Sequence, residues 1–70
     1  MGDETIKRTE IVYNFNKNQL SNFMKNLASE ILNGKIKIKG QEIELPEQLE
    51  VEYEFKEKKD QNKLQIEIKW

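Results

Sequence analysis

The sequence predicts an α+β domain in which one helix packs on one face of a mostly antiparallel sheet, in the order β-α-β-β-β-β. Three observations support this. Apolar residues recur at helical spacing between residues 16 and 33, apolar and polar residues alternate from residue 35 onward, and turn-forming residues divide the alternating part into four strands. The 70 residues make a single domain, 1–70, of which we expect residues 1–4 to be disordered.

A first strand is predicted over residues 5–13, T-I-K-R-T-E-I-V-Y, because β-branched and aromatic residues are frequent there and form no helical stripe. Apolar side chains occupy both odd- and even-numbered positions and so both faces, which is typical of an edge strand or of a strand with a bulge. Its direction allows antiparallel pairing with the last strand or parallel pairing with the second. We favour the antiparallel arrangement, which would place residues 63–70 inside the sheet.

The helix is predicted over residues 16–33. Asn16 is a suitable N-cap, and Gln19 stands three residues later, where a capping box requires Glu or Gln. Gly34 follows the last apolar residue and can adopt the left-handed conformation that ends a helix. The residues of the apolar stripe are Leu20, Phe23, Met24, Leu27, Ala28, Ile31 and Leu32.

The alternating part begins with a hairpin. A turn at Lys39-Gly40 would place Ile36 opposite Ile43, and Pro46 should make the next reversal. The fourth strand of the predicted order follows over residues 49–55. The next segment, 56–62, has no apolar residue and is predicted to be an exposed loop.

The last strand is predicted over residues 63–70, K-L-Q-I-E-I-K-W. Its four even-numbered residues are apolar and are expected to face the helix, because side chains of a strand alternate between two faces. Trp70, the single tryptophan of the chain, has two interpretations. It closes the core of the domain, or it anchors a partner at an interface.

From about Glu10 to Trp70 the chain resembles the amphi-Trp domain family, small prokaryotic proteins with a helix near the start and an amphipathic ending at tryptophan, here L-Q-I-E-I-K-W. Many members open the helix with an acidic Ser-Arg-Glu-Glu type sequence, whereas this chain has Asn16-Lys17-Asn18-Gln19. The family has no assigned activity. The resemblance therefore implies a fold and no functional residue.

Composition excludes several classes of function. The chain has no cysteine and no histidine, so it lacks thiol nucleophiles, disulfides, the usual general base near neutral pH and the commonest zinc ligands. Twelve basic and 13 acidic residues leave a net charge of -1, which disfavours strong binding to nucleic acid or to an anionic membrane. No segment is apolar enough to span a bilayer. We expect a cytoplasmic protein that is not an enzyme and binds no cofactor or metal.

Acidic residues form the candidate site for a partner. If the third and fourth strands are neighbours, their outward glutamates lie side by side and repel one another unless lysines neutralise them. Three interpretations follow: a solvated surface screened by neighbouring lysines, a site for a basic partner, and a divalent cation site. The candidate partner-binding residues are Glu42, Glu44, Glu50, Glu52, Glu54 and Trp70.

The function predicted from the sequence is a small non-enzymatic protein-interaction module that binds another macromolecule or pairs with itself as a homodimer, since a domain of this size gains stability from association. The alternative is a weak nucleic-acid-associated module. It would use the lysine columns of the sheet, Lys35, Lys37, Lys39, Lys63 and Lys69, and the loop at residues 56–63.

Overall fold

The structure, a computed structural model, describes residues 7–70 and contains one helix and two antiparallel two-stranded sheets. The predicted α+β class is confirmed. Strand β1 pairs with β2, and β3 pairs with β4. The prediction for residues 1–4 lies outside the described residues. The elements are α1 (Lys17–Asn33), β1 (Lys35–Ile38), β2 (Gln41–Glu44), β3 (Glu50–Glu57) and β4 (Asn62–Lys69).

Helix α1 begins and ends where its capping residues predict. The Gln19 backbone N–H donates to Asn16 Oδ1 at 2.8 Å, and the Asn16 N–H donates to Gln19 Oε1 at 3.0 Å, which completes the capping box. Gly34 has φ +84°, and its N–H donates to the carbonyl oxygens of Glu30 and Ile31. These bonds satisfy backbone groups that a helix terminus otherwise leaves free.

Strands β1 and β2 form the predicted hairpin. Lys39 and Gly40 both have positive φ, 52° and 77°, the geometry of a two-residue turn whose twist matches that of the strands. Ile36 lies opposite Ile43, as predicted. The tight turn therefore fixes the register that places the isoleucines on a common face.

The β1–β2 hairpin is attached to the helix. The Lys37 N–H donates to Glu30 Oε1 at 3.0 Å, and the Leu45 N–H donates to the Gly34 carbonyl oxygen at 2.8 Å. Helix α1 lies against β1. Most of the half-buried apolar side chains lie in this part of the chain: Leu27, Ile31, Ile36, Ile38, Ile43 and Leu45.

Strands β3 and β4 form a longer hairpin whose turn is closed by a hydrogen bond of 3.1 Å from the Lys58 N–H to the Gln61 carbonyl oxygen. Both strands extend into the predicted loop at 56–62, which is shortened to residues 58–61. No residue of β3 or β4 comes within 8 Å, between Cα atoms, of α1, β1 or β2. It is a separate two-stranded ribbon.

The prediction of a first strand is wrong for residues 7–13, which belong to no helix or strand; residues 5 and 6 lie outside the described part. Tyr13, the aromatic residue of the predicted strand, packs instead with Phe15 and with Phe23 of the helix. The rings of Tyr13 and Phe15 stack with centroids 4.8 Å apart, and both lie within 6 Å of the Phe23 ring, at 5.4 and 5.7 Å. Their aromatic contacts therefore serve the beginning of α1.

The prediction of one sheet covered by the helix is also wrong. Between residues 7 and 70 the strands form two separate sheets, and the last strand has a neighbour on one side only. No described residue is fully buried, and Leu64 and Ile66 on β4 are 59% and 46% exposed. Alternation correctly predicted an extended chain with an apolar face, but it did not determine what covers that face.

Candidate functional site

The most prominent surface of the described chain is one face of the β3–β4 hairpin. Three apolar pairs lie directly across the two strands: Val51 with Ile68, Tyr53 with Ile66, and Phe55 with Leu64. Tyr53 is 71% exposed and Phe55 is 60% exposed. We call this surface the hairpin face; it consists of Val51, Tyr53, Phe55, Leu64, Ile66, Ile68 and, at the same parity, Trp70.

The opposite face of the same hairpin is polar along its whole length. Its cross-strand pairs are Glu50 with Lys69, Glu52 with Glu67, Glu54 with Gln65, and Lys56 with Lys63. One pair joins opposite charges and two pairs join like charges, so this face partly neutralises itself. The hairpin is therefore strongly two-sided, with charged residues confined almost entirely to one side.

The structure does not bring the predicted acidic residues together. Glu42 and Glu44 lie on β2, opposite Lys37 and Lys35 of β1, and Lys35 Nζ is 3.8 Å from Glu42 Oε2. The other three glutamates lie on β3, in the second sheet. The predicted side-by-side stripe is wrong because β2 and β3 are not paired. Each group of glutamates faces at least one lysine of its own hairpin instead.

Trp70 lies at the open end of the β3–β4 hairpin and is 60% exposed. With Gln48, Leu49 and the ends of the two strands it borders a shallow, open depression. The interpretation of Trp70 as a buried core residue is therefore wrong for this chain by itself. Its place beside the hairpin face is consistent with the other interpretation, an anchor at an interface.

A second apolar surface lies on the helix, on the side that its spacing predicted to pack against the sheet. Leu20, Met24 and Ala28 form a shallow groove on α1, with Lys17 and Lys25 beside them. Leu32 continues the same side toward the end of the helix and is 87% exposed. We call Leu20, Met24, Ala28 and Leu32 the helix patch. Its helical spacing was visible in the sequence, but spacing predicts an apolar side and not its exposure.

Comparisons of the chain with protein-family models, with curated proteins and with solved structures gave no match. The resemblance to the amphi-Trp domain family stays a prediction. The geometry of the hairpin face and the helix patch therefore carries the functional argument.

Two further features of the described residues bear on the site. No group of three or more acidic side chains within residues 7–70 converges as a metal site would require. In the same part of the chain, α1 is neither long nor apolar enough to cross a membrane.

Proposed function

We propose that this chain is a small non-enzymatic protein-interaction module whose contact surface is the hairpin face. One observation carries the proposal: three directly opposed apolar pairs lie on the surface of the described chain, and five of their six side chains are exposed. Monomeric proteins rarely leave a contiguous apolar surface of this kind in water, and such surfaces mark sites of association.

The energetics favour covering this face. Transferring apolar surface from water contributes about 25 cal/mol per Å², so a fully exposed Phe, Leu or Ile side chain gains about 1.5–3 kcal/mol when it becomes buried. Each of the five exposed side chains in the three pairs would contribute the part of that gain that corresponds to its exposed area. The two aromatic rings, Tyr53 and Phe55, and nearby Trp70 are of the type enriched at the centres of protein interfaces.

The distribution of charge favours a protein partner. The side of the paired strands that carries the apolar pairs has one charged residue, Glu57, which lies at the tip of β3 opposite Asn62. Lys56 and Lys63 lie on the other side. A surface that binds nucleic acid places cations beside its aromatic platform, because phosphates supply much of the affinity.

Two sequence-based expectations are part of the proposal. The chain lacks histidine and cysteine, which supports a role in binding and not in catalysis. The proposed module works in the cytoplasm without a membrane partner, as the composition of the sequence suggests.

The proposal is tested by capture from the native lysate with tagged wild type, Tyr53→Lys and the control Gln65→Lys. Both variants introduce a lysine into the same hairpin, but residue 65 lies on the polar face opposite Glu54. We expect wild type and Gln65→Lys to capture the same partner protein and Tyr53→Lys to lose it. A second, untagged copy of this chain counts as such a partner. Circular dichroism checks that both variants keep their strands.

Nuclease treatment should leave that capture unchanged. Equal capture by Tyr53→Lys and wild type would show that the hairpin face is not the contact surface. Loss of capture in both variants would instead point to a general effect of charge.

A second candidate function, weak association with single-stranded nucleic acid, is supported by four lysines at the hairpin tip: Lys56 and Lys63, opposite each other, and Lys58 and Lys59 near the turn. Tyr53 and Phe55 are also exposed and could stack on bases. This candidate predicts binding that weakens steeply with salt and is lost in Lys58→Gln/Lys59→Gln, measured by fluorescence anisotropy.

A further inference from the structure

We infer that the hairpin face binds a second copy of this chain, and that two copies exchange hairpins so that the hairpin face of each covers the helix patch of the other. The inference rests on the proposed function, because it uses the hairpin face as the contact surface. It adds the identity of the partner and the surface on that partner. Four observations lead to it.

The first observation is the amount of exposed surface. The chain exposes 7115 Å², whereas a compact monomer of 8.4 kDa exposes about 4,600 Å² by the usual scaling with mass. The excess is about 2,500 Å² per chain, and the hairpin face and the helix patch account for part of it. Obligate homodimers bury about 2,000–5,000 Å² or more in total, which two copies reach when each covers about 1,000 Å².

The second observation is the extended shape. The radius of gyration is 14.8 Å, whereas a compact chain of this length has a radius near 11 Å. The β3–β4 hairpin contributes to this extended shape, because its strands lie apart from α1, β1 and β2. In a dimer with exchanged hairpins, this extended shape is the conformation of each subunit.

The third observation concerns the connection between β2 and β3, residues 45–49. Its first residue is held to the end of the helix by the 2.8 Å hydrogen bond from the Leu45 N–H to the Gly34 carbonyl oxygen. Pro46 follows and fixes its own φ. A short connection that is anchored at one end and contains a proline restricts how the hairpin can fold back on its own helix patch, and short hinges of this kind favour exchange between identical chains.

The fourth observation is charge complementarity. Residues 7–45 carry seven basic and four acidic side chains, a net charge of +3, while residues 46–70 carry five basic and seven acidic side chains, a net charge of -2. Lys17 and Lys25 border the helix patch, and Glu57 lies at the tip of the hairpin face, while Lys56, Lys63 and most glutamates of the hairpin lie on its polar face. The complementarity is therefore one of net charge: a hairpin placed on the partner's helix joins a negative segment to a positive one, whereas two hairpins placed face to face would join two negative segments.

This arrangement also completes the layers of an α+β fold. A helix with an apolar stripe and a sheet with an apolar face are each stable when they cover one another. A twofold axis repeats the same helix-on-sheet contact twice, so both apolar surfaces of both chains become covered in a closed dimer.

The test combines mass with selective cross-linking of the full chain. Sedimentation equilibrium over a concentration series should show the mass doubling from 8.4 kDa. Because the chain has no cysteine, a flexible bis-maleimide reacts only with introduced thiols. Met24→Cys, in the helix patch, is mixed with Ile66→Cys, on the hairpin face, with a mass tag on one of them. The main cross-linked product should contain one copy of each variant.

Gln65→Cys is the matched control for Ile66→Cys, because its thiol lies on the polar face of the same strand, and it should give several-fold less mixed product. A mass of 8.4 kDa at every concentration would overturn the inference. Predominant linking of Ile66→Cys to itself would also overturn it and show hairpins packed face to face. Linking within a single chain of the double variant Met24→Cys/Ile66→Cys would show that the hairpin folds back on its own helix.

These outcomes separate the two proposals. If the mass stays that of one chain but Tyr53→Lys still abolishes capture of another protein, the inferred exchange of hairpins is wrong and the proposed function stands. If the chain stays monomeric and Tyr53→Lys captures as much as wild type, both are wrong.

Discussion

The molecule has two regions that differ in how far their apolar side chains are covered. The first is the helix with the β1–β2 hairpin, and the second is the β3–β4 hairpin. In the first region, hydrogen bonds from Lys37 to Glu30 and from Leu45 to Gly34 join three elements, and the apolar side chains between them are half-buried. In the second region, a regular ladder joins two strands, and every residue of β3 is exposed. Backbone pairing can thus define two long strands without covering their apolar face, and an isolated two-stranded ribbon is at best marginally stable in water.

The largest expected difference between the regions is in the loss of unfolding free energy when one isoleucine in each is replaced by alanine. Ile36→Ala removes a half-buried side chain opposite Ile43 and should lower the free energy of unfolding by about 2 kcal/mol. Ile66→Ala removes a side chain that is 46% exposed and should cost less than about 1 kcal/mol in dilute solution. Urea denaturation followed by circular dichroism measures both.

At high concentration the cost of Ile66→Ala should grow and that of Ile36→Ala should not, because only the former weakens the proposed interface. Equal costs at every concentration would show that the two regions are equally covered and would remove the contrast between them.

A smaller effect is expected at the junction within the first region. Gly34 has φ +84°, and a Cβ there would meet no atom within 4 Å, so Gly34→Ala acts through backbone strain alone. The left-handed conformation costs a residue other than glycine about 1–2 kcal/mol. Thermal melting should show this loss, and Gly34→Asn, which tolerates the conformation better, should recover part of it. Equal melting of Gly34→Ala and wild type would mean that the helix ends elsewhere in solution.

The sequence predicted the local elements better than their assembly, for a physical reason. The capping box of Asn16 and Gln19 and the turn at Lys39-Gly40 depend on residues within four positions, so their signals are complete in the sequence. The neighbour of β4 depends on contacts between distant segments. Ile66 would alternate in the same way whether its own helix, a partner or solvent covered it, so its pattern predicted the hairpin face but not its exposure.

Replacing Trp70 should have a still smaller effect on stability, and it tests whether the β3–β4 hairpin takes part in association. At 60% exposure the ring contributes little to folding of the single chain, and Trp70→Ala should cost less than about 1 kcal/mol, against about 3–5 kcal/mol for a fully buried tryptophan. If the ring anchors an interface, the same variant should lose association measurably by sedimentation. A loss of several kcal/mol in dilute solution would mean that the ring is buried in the single chain.

The smallest effect concerns the polar face of the β3–β4 hairpin. Glu52 lies directly opposite Glu67, and like charges in such a pair are destabilising by a few tenths of a kcal/mol. Glu52→Lys converts the pair into an attractive one, so the fold should stay intact and the melting temperature should rise slightly at low salt, where screening is weakest. Glu50→Lys is the control with the opposite sign, since it replaces an attractive pair with Lys69 by a repulsive one. A clear loss of stability in Glu52→Lys would mean that its carboxylate has a basic partner, and the polar face would then be a contact surface as well.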